Sequence, residues 1–202
     1  GFDPGAQWIN NLSVVGGTTR LVEPIVKFAA QAGSPYTVYE SIIRAGEMSQ
    51  RAPAGPTYLS VSTETLMDEW TPPANGRTVP AAPRKLTAPE EIEKLAGLLA
   101  KAENPVVLTE AAGREVETFE ALVALSEKIA LPVVETPSAI FANFPKDHEL
   151  HQGQSFAPFK DTADLAIVIR ARSPWYPPSD GPSKAVVAVI DETPHRDCMV
   201  YQ

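Results

Sequence analysis

Only one cysteine, Cys198, occurs among the 202 residues, so no disulfide can form within the chain and a reducing, cytoplasmic setting is expected. Lys and Arg never cluster, and the formal net charge is −8. That removes the electrostatic footprint of a nucleic-acid or anionic-membrane partner. No apolar run approaches the roughly 18 residues of a membrane span. The chain holds no G-x-S-x-G, no P-loop and no histidine in a triad pattern, which argues against the common nucleophile and nucleotide-hydrolase designs. Gly1-Phe2-Asp3-Pro4-Gly5 has neither an initiating Met nor the basic and apolar regions of a signal peptide. Cys198-Met199-Val200-Tyr201-Gln202 follows an apparent strand and turn without a closing helix, so both ends read as cuts.

What is present is apolar enough to fold, with 44% hydrophobic residues supporting one solid core or one core plus part of another. Residues 8–33 mix apolar positions with a Gly16-Gly17 turn and leave strand or helix open. Ser34-Pro35 reads as an N-cap with proline at the first helical position, predicting a helix over about 35–50. Ala54-Gly55-Pro56 then leads into a strand, Thr57-Tyr58-Leu59-Ser60-Val61. From Trp70 to Pro89 five prolines and Gly76 replace large apolar residues, the composition of an extended connector. The expected organisation is a partial domain over 1–69, a linker over 70–86 and a second domain over 87–202.

In the second domain, Thr87-Ala88-Pro89-Glu90 reads as a capping box opening a helix over 89–102, with Ile92, Leu95, Ala96 and Leu99 on one face. Val106 to Leu108 is a predicted strand. A helix over about 115–130 follows, facing inward with Val116, Phe119, Val123 and Ile129, and then a strand over 131–134. The runs Leu165–Ile169 and Val186–Ile190 lack alternation and read as strands buried on both faces. Strands alternating with helices imply an α/β fold with a parallel sheet.

Ligands on such sheets collect at the carboxyl ends of the strands. That rule nominates Glu110, Gly113 and Arg114 after the first strand and Thr136 with the long loop after the second. It also nominates Arg170, Arg172 and Trp175 after the third, and Asp191 and Glu192 after the fourth. Gly113, Arg114, Arg172, Trp175 and Asp191 are the candidate cofactor-binding set: arginines for an anionic group, an acidic residue for a ribose hydroxyl. The first loop has one glycine where a dinucleotide fold has G-x-G-x-x-G, and the bland alternative is a solvated rim of charges. His148 and His151 fall at i, i+3, which alone is not a metal site. His195 near Cys198 offers a thiol-activation pattern of the same weak kind. No catalytic residue and no metal ligand is assigned.

The motifs, in order, resemble thiamine-diphosphate-dependent enzymes of the acetolactate synthase type. Gly55-Pro56-Thr57-Tyr58-Leu59 is similar to the strand that closes that family's pyrimidine-binding domain, and the proline-rich linker follows it. Asn143-Phe144-Pro145 and His148-Glu149-Leu150-His151-Gln152-Gly153 are similar to the family's F-P-x-x-H-P-L-x-x-G. Asp164 to Ile169, with Pro174-Trp175, and Val189-Ile190-Asp191-Glu192-Thr193-Pro194 resemble its later signposts. The resemblance implies a Rossmann-like central domain preceded by part of a second α/β domain.

It also implies a parent lyase or transferase acting on a 2-keto acid, a homodimer or homotetramer whose active site forms between subunits. The parent's catalytic glutamate would lie before Gly1, and its thiamine diphosphate and Mg2+ motif after Gln202, leaving the fragment inactive alone. Thr193 stands where the family often has Asp and Arg170 where a strand usually ends in Gly. Both lie at the rim that holds FAD in acetolactate synthases, so FAD is the cofactor on which this sequence departs from the family. The competing reading is a self-contained nucleotide- or flavin-binding α/β module.

Overall fold

A parallel pair of strands needs a long crossover, and both sheets among the described residues are built that way. A computed structural model describes residues 17–83 and 85–193. The readings placed on Trp8 to Val15 and on His195 and Cys198 lie outside the described residues. The chain divides into two compact units, Gly1–Arg84 and Lys85–Gln202.

The first unit contains α1 (Gly17–Val22), β1 (Phe28–Ala32), α2 (Pro35–Gln50), β2 (Thr57–Val61) and α3 (Thr63–Met67). Helix α2 starts where expected: the Ser34 hydroxyl accepts the Thr37 N–H, and the Thr37 hydroxyl accepts the Ser34 N–H. It ends before Ala52-Pro53, because a residue preceding proline is driven out of the helical region. The helix returns the chain so that β2 lies parallel to β1, Phe28 opposite Thr57 through Ala32 opposite Val61. Lys27 tacks the α2–β2 turn in place by donating to the carbonyls of Arg51 and Pro53. Residues 70–83 of the proline-rich stretch form no helix or strand; Val79 covers Gly46 of α2, and the Tyr39 hydroxyl accepts the Arg77 N–H at 2.5 Å. Ala32 and Ile43 are the buried hydrophobics among the described residues here, while Leu21 and Ile25 stand 70% and 75% exposed. Helix α2 packs against both strands of this sheet.

The second unit contains α4 (Pro89–Leu99), β3 (Pro105–Thr109), α5 (Val116–Ile129), β4 (Val133–Glu135), β5 (Leu165–Ile169) and β6 (Val186–Ile190). Its strands form one all-parallel sheet in the order β4-β3-β5-β6. Alternate residues point to opposite faces, and both faces are buried over β3 and β5. Val107, Leu165 and Ile167 face Leu95, Leu98 and Leu99 of α4 and Leu122 and Val123 of α5. Val106, Leu108, Ala166 and Val168 face Phe156 and Trp175, which come from loops. Asp164 tightens the α4–β3 turn by accepting the N–H groups of Glu103 and Asn104, and these bonds hold its carboxyl below the usual range.

Four local expectations are corrected. Proline at the first helical position makes Ala88 the N-cap of α4, with no side-chain cap, so Thr87 caps nothing. The inward face of α4 runs through Leu95, Leu98 and Leu99, with Ala102 packed beside them past its end, leaving Ile92 58% exposed. That of α5 runs through Phe119, Leu122, Val123 and Ser126, with Val116 and Ile129 outside. Finally, β6 is an edge strand with Val186, Val187 and Ile190 exposed, since an apolar run does not reveal its place in the sheet.

Candidate functional site

The carboxyl edge of the second unit's sheet gathers the ends of β3, β4, β5 and β6, and a polar network joins them. Glu110 follows β3 and is 3% exposed. Its carboxylate accepts the Arg172 backbone N–H at 2.9 Å and the guanidinium through Nε at 2.6 Å and Nη2 at 2.5 Å. This ties the loop after β5 to the end of β3. Asn143, fully buried in the long loop after β4, forms the next link. Its Oδ1 accepts the Gly113 N–H at 3.0 Å, and its Nδ2 donates to the carbonyls of Glu110 and Phe141, each at 3.0 Å.

The Asn143 N–H donates to Glu135 Oε1 at 3.1 Å, and Glu135, at the end of β4, is itself fully buried. The second oxygen of Glu135 meets Lys146 Nζ and lies 3.3 Å from His151 Nε2. Residues 150–153 run alongside β4, with the Gln152 N–H donating to the Val133 carbonyl and the Glu135 N–H to the Gly153 carbonyl. The long loop is therefore folded back and pinned at both ends. Burial, reinforced by the Lys146 charge, holds His151 below the usual imidazole range.

The proposed rim residues occupy definite places in this frame. A β-carbon on Gly113 would lie 1.8 Å from the Ala142 carbonyl oxygen, so glycine here allows two loops to touch. Arg172 is spent on Glu110. Trp175 packs in the core, 8% exposed, with its ring 5.6 Å from Phe156 and Gly181 against its indole edge. Asp191 Oδ1 accepts the Thr193 N–H at 2.7 Å. Arg114 and Arg170 both lie between Glu115 and Glu192. Thr136 shares a hydrogen bond with Ser138.

His148 and His151 are not on a helix and face different carboxylates, Glu127 and Glu135. His148 Nδ1 accepts the Leu150 N–H, so the proton of the neutral ring sits on Nε2, toward Glu127. Among the described residues no group of three His, Cys, Asp or Glu could hold a metal ion. No helix among them is long and apolar enough to cross a membrane. The first unit has a groove of about 530 Å³ along α2 lined by Glu40, Arg44, Glu47, Arg51 and Arg77, where Arg77 pairs with Glu40 and Arg51 with Glu47.

Residues 92–196, just over half the chain, match the family described as thiamine pyrophosphate enzyme, central domain. The chain belongs to the thiamine pyrophosphate enzyme family. It is 27% identical over 166 residues to the benzoylformate decarboxylase of Pseudomonas aeruginosa, covering 75% of this chain and 30% of that protein. It is 27% identical over 144 residues to the 3D-(3,5/4)-trihydroxycyclohexane-1,2-dione hydrolase of Halalkalibacterium halodurans, covering 68% of this chain and 23% of that one. The crystal structure of benzoylformate decarboxylase from Polynucleobacter necessarius shares the fold with a TM-score of 0.76 at 22% identity, over 91% of this chain and 36% of that chain. The chain thus spans about a third or less of the length of these relatives.

A thiamine pyrophosphate enzyme works through a diphosphate-bearing cofactor, and the described residues of this edge do not fit one. Arg114, Arg170 and Arg172 are each opposed by glutamate, the Gly113 N–H is occupied, and no acidic cluster awaits a metal. What this edge does chemically is position loops. Of its keystones, the sequence nominates Glu110 at a strand end but leaves it outside the binding set, quotes Asn143 only as part of a motif, and does not single out Glu135. The available signals were a carboxylate directly after an apolar strand at Glu110 and Glu135, and the Asn143-Phe144-Pro145 motif.

Proposed function

We propose that these residues form the positioning middle of a thiamine-diphosphate-dependent enzyme that decarboxylates or joins 2-keto acids, in the manner of acetolactate synthase or benzoylformate decarboxylase. In this reading residues 1–69 complete a pyrimidine-binding domain, 70–86 link it onward, and 87–202 are the central domain. Thiamine diphosphate and Mg2+ are held by other parts of a homodimeric or homotetrameric cytoplasmic parent, and this chain supplies no catalytic group. The observation that carries it is the likeness to a benzoylformate decarboxylase over 91% of the chain, on both sides of the proline-rich stretch, together with the family match of residues 92–196.

The test is CO2 release by the full-length polypeptide that contains these residues, with pyruvate or benzoylformate, before and after stripping with chelator. Turnover restored only by thiamine diphosphate and Mg2+ together is expected, and none from the 202-residue chain. An aldehyde product marks a lyase and an acyloin a transferase. Turnover indifferent to thiamine diphosphate would overturn the reading, as would turnover by the 202 residues alone.

A further inference from the structure

We propose that Arg114, Glu115, Arg170 and Glu192 close the carboxyl edge of the second unit's sheet against flavin and nucleotide diphosphates by forming an alternating ring of opposite charges. Arg170 Nη1 meets Glu115 Oε2, and its Nη2 lies 3.2 Å from Glu192 Oε1. Arg114 completes the circuit, Nε 3.8 Å from Glu115 Oε1 and Nη1 3.9 Å from Glu192 Oε2. The four residues come from three strand ends. Arg114 and Glu115 follow β3, Arg170 follows β5, and Glu192 follows β6, so the ring spans adjacent strands at the edge where an open parallel sheet receives ligands. Two guanidiniums and two carboxylates neutralise one another. An incoming diphosphate must break those pairs and then face both released glutamates.

Arg170 carries the second, independent observation. Its φ is +45°, in the left-handed region where a β-carbon is disfavoured and glycine is usual. Its own N–H donates to the Ile190 carbonyl at 2.9 Å, which ties the backbone to β6, and its side chain reaches both glutamates. The neighbouring donors are committed too: the Gly113 N–H to Asn143, and the Arg172 guanidinium and N–H to Glu110. A phosphate approaching this edge finds the Gly113 N–H, the Arg170 guanidinium and the Arg172 Nε and Nη2 already engaged by the chain's own acceptors.

The experiment is equilibrium binding of FAD and of ADP to the 202-residue chain and to its Glu115→Gln/Glu192→Gln variant, at low salt. The variant keeps the side-chain shapes and both arginines while removing two negative charges. The wild type is expected to show no saturable binding into the millimolar range, and the variant to bind ADP at least about tenfold more tightly, the size of effect expected when like-charge repulsion is lifted. Micromolar binding by the wild type overturns the proposal, as does a variant that binds no better than wild type. Where the double variant does not fold, Glu192→Gln alone is expected to give a smaller gain in the same direction, and no gain there also overturns it. Arg170→Gly matches the backbone but strips a cation, leaving the glutamates facing the edge. It is expected to bind no better than wild type, and tighter binding by it would overturn the role given to the glutamates. None of these readouts depends on thiamine diphosphate, so they fail or succeed separately from the enzyme assay.

Discussion

Gly113→Ala tests whether the loops after β3 and β4 are locked together. The new β-carbon would start 1.8 Å from the Ala142 carbonyl oxygen and 2.6 Å from its carbon, both backbone atoms that no rotamer change can move. Reaching a distance of 3.0 Å therefore requires one loop to shift bodily. Asn143 resists that shift, because it is fully buried and its side chain already makes three hydrogen bonds at 3.0 Å to Gly113, Glu110 and Phe141.

Overpacking of this kind costs about 1–3 kcal/mol, and a buried group losing its partner costs about 1–3 kcal/mol more. Alanine returns about 0.4–1 kcal/mol by stiffening the unfolded chain. The net expectation is a loss of about 3 kcal/mol, or on the order of 10 °C in Tm for a domain of this size. Urea and thermal unfolding followed by circular dichroism measure it, with hydrogen exchange at residues 142 and 143 as the local readout. Gly97→Ala, in the interior of α4 with nothing within 4 Å of the added carbon, is the control and should gain about 0.5–1 kcal/mol. If Gly113→Ala unfolds within about 1 kcal/mol of wild type, the loops are not in firm contact and the Asn143 bridge is not what holds them.

Ala130 ends α5 at φ 53°, ψ 44°, the left-handed cap position that favours glycine, so Ala130→Gly should raise stability by about 0.5–1 kcal/mol in urea unfolding. The His151 pKa is lowered in the fold, so the unfolded chain takes up the proton first as pH falls below about 6.5. Stability should therefore fall progressively from about 6.5 down to the depressed folded value, and this group should leave it unaffected above about 6.5. His151→Gln should flatten that part of the pH dependence of the urea midpoint, and an unchanged slope would refute the assignment. Lys146→Met should lessen the loss, since it removes the cation that adds to burial in disfavouring imidazolium.

The strands and the capped helix α2 were legible because each is encoded locally. Ser34-Pro35 sets a helix start, and the runs at 57–61 and 165–169 lie between turn formers. Helix faces were less so. Val116 and Ile129 are apolar yet exposed, whereas Ser126 is polar and buried against the sheet, where a small side chain fits. Periodicity reads hydrophobicity, and close packing also selects for size. The site was the least legible part. Arg170 and Arg172 looked available for an anion because their partners stand far away in sequence: Glu115 and Glu110 precede them by 55 and 62 residues. Asn143 in an irregular loop gave no local hint that it bridges to Gly113, 30 residues earlier.

The two halves of the carboxyl edge stand on different energetics. Glu110, Glu135 and Asn143 are almost wholly buried, so each bond they make replaces water that is no longer there, and removing any partner strands a polar group in the interior. That half is a structural lock. The ring of Arg114, Glu115, Arg170 and Glu192 is 21–40% exposed at its side chains, where ion pairs contribute little, about 0–1 kcal/mol each. The left-handed backbone at Arg170 opposes even that, at about 1–2 kcal/mol. The ring therefore adds little or nothing to stability, and its physical consequence lies in the charge it presents at the rim. Removing the glutamates should barely move the unfolding midpoint while changing what the edge will bind, whereas removing Asn143 should do the reverse.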